Sequence, residues 1–115
     1  MGKHILFLLK PGFKATEGGP FYCPDSAGVE GFLKYEPTIE DLVEVKRIDF
    51  SQPRQEVIDL AGTANQGCPV LVIDTNSGVP EEANVSEETG RAFISDPIQI
   101  CNFLGRQFGV ARPHP

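Results

Sequence analysis

The residues of this 115-residue chain best suited to chemistry are its three cysteines, and Cys23 has the most suggestive surroundings. It sits in Phe21-Tyr22-Cys23-Pro24-Asp25-Ser26, where a polar stretch gives way to an amphipathic one. Pro24 fits the first helical position, because the N–H it lacks is one a helix start cannot pair. A sulfur just ahead of it faces the free N–H groups and positive end of a helix, a setting that stabilises thiolates. Ser26 can donate a hydrogen bond to that sulfur where a second cysteine would stand, yet a hydroxyl cannot attack a mixed disulfide. This spacing predicts monothiol chemistry. Asp25 opposes it, since a nearby carboxylate disfavours a second negative charge. The same residues also describe a small apolar filler beside a proline-capped helix, and the motif alone leaves both readings open.

Cys68 stands before Pro69, which opens the run Val70-Leu71-Val72-Ile73. Cys101 shares an apolar helical stripe with Ile98, Leu104 and Phe108 and reads as inert core. The cysteines lack zinc-type spacing, and His4 and His114 are too isolated to complete a set, so no metal is expected. In Phe93-Ile94-Ser95-Asp96-Pro97 a hydroxyl beside a helix start suits a carboxylate ligand, though Ser and Asp are also what any helix start prefers. The acidic stretch with Glu81, Glu82, Glu87 and Glu88 reads as a solvated loop.

The elements that must position these residues follow from pattern. Residues 5–9, an unbroken apolar run, predict a strand covered on both faces. Residues 14–21 read as an exposed loop around Gly18-Gly19-Pro20. Residues 24–35 place Val29, Phe32 and Leu33 on one helical stripe that Pro37 closes, with Gly28 and Gly31 weakening the pattern. Residues 42–50 alternate as a second strand. Ser51 as N-cap and Pro53 in the first turn start a second helix carrying Val57, Ile58, Leu60 and Ala61 up to Gly62. The strand from Val70 ends at the Asp74-to-Gly78 breaker, residues 79–88 form a loop, and residues 91–95 form a short strand. Asp96-Pro97 opens the last helix, and residues 110–115 are a loose tail. The order is βαβ, a helix, then ββα: one α/β domain, its first two strands parallel and helices on both faces of one small mixed sheet.

Composition narrows the function. Ten basic and 16 acidic residues leave a net charge of −6, which disfavours nucleic acid and anionic membranes. Forty per cent apolar residues suffice for a core, while 12 glycines and 10 prolines exclude long helical bundles. The apolar run near the N-terminus is too short for a secretory signal, so the expected compartment is the cytoplasm, where thiols stay reduced.

The C-P-D-S cluster opening the first helix, Pro69 starting an apolar strand, Val70-Leu71 behind it and the order of elements together resemble the thioredoxin superfamily. The likeness runs from about residue 4 to 109 and is nearest the glutaredoxin and glutathione transferase N-terminal branch. The chain also resembles an uncharacterised bacterial family of thioredoxin-like domains. The loop over residues 10–22 and the acidic insertion over 79–88 are longer than in glutaredoxins, and the acid-then-serine order common in transferases is reversed at Ser95-Asp96.

The resemblance implies a thioredoxin-like fold, a cis bond between Cys68 and Pro69, and a Cys68 backbone that pairs with an extended thiol ligand. It implies catalysis by Cys23 with Ser26 and Cys68, and ligand contacts from Tyr22, Pro24, Cys68, Pro69, Ser95 and Asp96. Its co-substrate would be glutathione, with no bound cofactor, and its partner a thiol or disulfide substrate, small or protein. Cys68 would face Cys23 with Cα atoms within roughly 7 Å, close enough to act as the resolving thiol. Alternatively Cys68 is a filler isosteric with valine. A non-catalytic module that binds a peptide or protein in the same groove is the competing function.

Overall fold

The apolar run near the N-terminus becomes the strand on which the sheet is built. The structure, a computed structural model, describes residues 3–115 and orders them as β1 (Ile5–Leu9), β2 (Phe13–Ala15), β3 (Gly18–Phe21), α1 (Pro24–Tyr35), α2 (Ile39–Leu42), β4 (Glu44–Ile48), α3 (Gln55–Ala61), β5 (Val70–Val72), β6 (Asn84–Val85), β7 (Ala92–Ile94) and α4 (Pro97–Phe108). The five-stranded sheet runs β4-β1-β5-β7-β6. β1 pairs with β4 in parallel and with β5 antiparallel, and β7 lies antiparallel to both β5 and β6. The protein is therefore α/β with a mixed sheet.

Side chains alternate across β1, so consecutive residues feed two cores. Leu6 and Leu8 join Val29, Phe32 and Leu33 of α1 and Ile100, Cys101 and Leu104 of α4 on one face. Phe7 joins Val57 and Ala61 of α3, with Val70, Val72 and Phe93, on the other. The sheet is thus covered on both sides, which explains why residues 5–9 are apolar without interruption.

Several local expectations need correction. The stretch over residues 14–21 is mostly a two-stranded hairpin, β2 with β3, in which Phe13 pairs with Phe21 and Ala15 with Gly18. Its glycines conceal it from a pattern search, although the packing requires one of them. Gly19 has φ +136°, and a Cβ there would stand 2.8 Å from the Phe13 carbonyl oxygen. The helix expected from Ser51 begins instead at Gln55, with Arg54 as N-cap at φ −98°, ψ 85° and no side-chain cap. The Arg54 N–H is held by Gln66 Oε1 at 2.9 Å, so the chain turns helical only after it. One helical turn, α2, precedes β4 because Ile39 and Val43 are both fully buried against the α1 face.

The acidic insertion contains β6, and Glu82 is drawn out of solvent. Its carboxylate accepts from Arg106 Nη1 at 2.6 Å and Nη2 at 3.0 Å, and that contact holds the carboxyl below the usual range. Past α4 the chain turns at Gly109 in the left-handed region, with φ +70°. It then lies against the helix at Gly105, where an added Cβ would meet the Arg112 side chain at 2.5 Å.

Candidate functional site

Helix α1 begins because Pro24 supplies a preset φ and Cys23 supplies the cap. Cys23 has extended backbone (φ −79°, ψ 117°), and its Sγ accepts a hydrogen bond from the Ser26 N–H at 3.4 Å. The sulfur therefore takes the place that a serine or aspartate oxygen fills in most helix starts. The thiol is half-buried and donates to the Cys68 carbonyl oxygen at 3.8 Å. Residues 45 apart in sequence thus meet at one end of the sheet, Cys23 entering α1 and Cys68 entering β5. The peptide bond between Cys68 and Pro69 is cis.

Ser26 is placed differently from the expectation. Its side chain is buried, and its Oγ accepts from the Leu9 N–H at 3.2 Å, anchoring the first turn of α1 to the end of β1. The donor that reaches Cys23 is the Ser26 backbone. Sequence spacing could not separate these two groups, because both belong to the same residue.

Cys68 is half-buried and packs on the apolar cluster that contains Val57 of α3. Burial pushes its thiol up to about 11, with Arg54 pulling down and Cys23 adding to the rise. Tyr22 is exposed beside Cys23, and Pro24 is exposed as well. An aromatic stack joins the hairpin to the segment that follows β4. Phe13 lies flat on Phe50 at 4.2 Å between ring centroids, and the Arg54 guanidinium sits over the other partner of that pair, 5.5 Å from the Phe50 ring centre.

Asp96 caps α4, its carboxylate accepting from the Gln99 N–H at 2.9 Å. Ser95 is exposed and lines an open cleft with Gly62, Asn65 and Glu88; neither Cys23 nor Cys68 lines it. The structure brings Cys23, Cys68, Pro69 and the Ser26 backbone together, while Asp96 spends its carboxylate on a helix end. Among the described residues no group of three His, Cys, Asp or Glu stands close enough to hold a metal ion.

Arg54 was not among the residues singled out from sequence. Nothing in Gln52-Pro53-Arg54-Gln55 distinguishes it from a solvent-facing arginine, since its burial comes from chain segments that meet only in the fold.

Fold and site together define a small α/β protein with two free cysteines converging where a helix and a strand begin. The chain belongs to the family described as protein of unknown function DUF3088, whose model matches residues 3–112. No curated protein and no solved structure matches it.

Proposed function

We propose that this protein has a thioredoxin-like fold and exchanges thiols with disulfides through Cys23, using a small thiol such as glutathione as reductant in a reducing compartment. The observation that carries the reading is the Cys23 sulfur itself. It is half-buried at the first turn of a twelve-residue helix, receives a main-chain N–H, and lies 3.8 Å from the Cys68 carbonyl. A main-chain carbonyl beside the reacting sulfur offers an extended ligand a pairing partner in register with its own N–H.

In the first step the Cys23 thiolate attacks a disulfide R–S–S–R′, forms Cys23–S–S–R and expels R′S⁻. A second thiolate then resolves the mixed disulfide. Where it comes from the small thiol, it attacks the sulfur of R, forms a disulfide with R and releases the Cys23 thiolate, and the cycle is monothiol. Where it comes from Cys68, it attacks the Cys23 sulfur, RS⁻ leaves, and the product is a Cys23–Cys68 disulfide, which two equivalents of small thiol reduce. Because burial pushes the Cys68 thiol up to about 11, the internal route quickens as pH rises from 7 towards 10.

The test is alkylation of Cys23 by iodoacetamide near neutral pH, together with turnover of a mixed disulfide between glutathione and a small thiol. Faster alkylation than a model thiol and loss of turnover in Cys23→Ser are expected. Alkylation no faster than the model thiol, with no turnover, would leave only the non-catalytic binding module.

A further inference from the structure

Arg54 is buried, at 8% exposure, and its charge bears on the Cys68 thiol. Its guanidinium is held by neutral groups: Nε and Nη2 donate to the Phe50 carbonyl at 3.1 and 2.6 Å, and Nη1 donates to the Gln66 carbonyl at 2.8 Å. Among the described residues no carboxylate forms an ion pair with it. These bonds occupy three of the five N–H donors and cancel none of the charge. A cation withdrawn from water acts strongly on its neighbours, because little solvent screens it. The Gln66 carbonyl that holds it lies two residues before Cys68, and Cys68 packs against the apolar cluster that includes Val57 and Ala61 of the helix that Arg54 opens.

We propose that Arg54 is the positioning residue that turns Cys68 into the resolving thiol of this site, by presenting an uncompensated positive charge to its sulfur. The inference rests on the reading of Cys23 as the attacking thiol and adds an order of events to it. While both cysteines are free, burial pushes the Cys68 thiol up, Arg54 pulls it down and Cys23 adds to the rise. Once Cys23 is tied into a mixed disulfide its sulfur carries no charge, and the pull of Arg54 works against burial alone. Cys68 then gives its proton to solvent and attacks the Cys23 sulfur. The Cys23–Cys68 bond forms as the Cys23–substrate bond breaks, and the electron pair leaves with the substrate thiolate. Two equivalents of a small thiol restore both cysteines and are themselves oxidised to a disulfide.

The experiment follows alkylation of the Cys68 peptide against pH by mass spectrometry in a Cys23→Ser background, with Arg54 native, Arg54→Gln or Arg54→Lys. Gln keeps donors for the carbonyls and removes the charge; Lys keeps the charge and loses the fork. The proposal expects Arg54→Gln to raise the midpoint and slow alkylation below it about tenfold, the equivalent of one pKa unit. Arg54→Lys should keep the native midpoint. Unchanged midpoints in both folded variants, or a Lys variant as slow as the Gln variant, would overturn it. If Arg54→Gln does not fold, Arg54→Met takes its place as the uncharged variant, a raised midpoint supporting the proposal and an unchanged one overturning it. Because Cys68 alkylation is read without any exchange reaction, absence of turnover would defeat the proposed function and leave this profile standing.

Discussion

The sulfur of Cys23 and the hydroxyl of Ser26 divide two duties that the motif places on one turn. The hydroxyl holds α1 to β1 by accepting from the Leu9 N–H, and the N–H of the same residue faces the sulfur. Ser26→Ala should therefore act on stability before chemistry. Leaving the buried Leu9 N–H without an acceptor costs about 1–3 kcal/mol, which a lower urea midpoint would register. The alkylation rate of Cys23 should hold, because the donor to its sulfur is main chain. Slowed alkylation at unchanged stability would show that the hydroxyl serves the thiol after all. For Cys68 the expectation concerns pH. With its thiol pushed up to about 11, release of substrate thiol from a preformed Cys23 mixed disulfide should rise close to tenfold per pH unit from 7 to 9 in the absence of external thiol. Stopped-flow or quenched mass spectrometry measures it, and a flat profile would remove Cys68 from the second step.

At the scale of elements, α4 shows how a helix start can satisfy two hypotheses from sequence and only one in structure. Asp96 accepts from the Gln99 N–H, so Asp96→Ala should cost about 1 kcal/mol by urea unfolding, the usual worth of such a cap. A neutral substitution would reopen Asp96 for a ligand. The elements legible in sequence are those whose own residues carry the signal: the apolar run of β1, the proline starts and apolar stripes of α1 and α4, and the β-branched run of β5. What stayed hidden depends on distant partners. The β2–β3 hairpin is made of glycines, a proline and exposed residues, and it is ordered by pairing and by Phe13 lying on Phe50. The start of α3 is set by Gln66, twelve residues away, taking the Arg54 N–H. At the site, the cysteines and Pro69 were visible as residue types, whereas the buried charge of Arg54 was not, because its carbonyl partners belong to loops without a recognisable pattern.

The whole molecule is a sheet between two helical layers, with a thiol on each side: Cys101 buried on the inner face of α4 and Cys68 half-buried against the cluster that α3 joins. Burial pushes each up to about 11 from an ordinary 9.0. The unfolded chain releases these protons first, so between pH 9 and 11 it binds fewer protons than the native state and stability falls as pH rises; below 9 the contribution is complete. Cys101→Ala removes one such thiol, and its deficit against the native protein should narrow by about 1–2 kcal/mol between pH 8 and 10.5 in urea unfolding. A constant deficit would mean that Cys101 ionises as readily in the fold as outside it. The exchange route stands on two successive attacks, by Cys23 on a substrate sulfur and by Cys68 on the Cys23 sulfur. Mild oxidation with glutathione disulfide followed by non-reducing peptide mapping tests this directly. A linked pair of peptides containing Cys23 and Cys68 is expected, preceded in time by a glutathione adduct at Cys23. Adducts or dimers through Cys23 alone, with Cys68 recovered as free thiol at every time and pH, would contradict it.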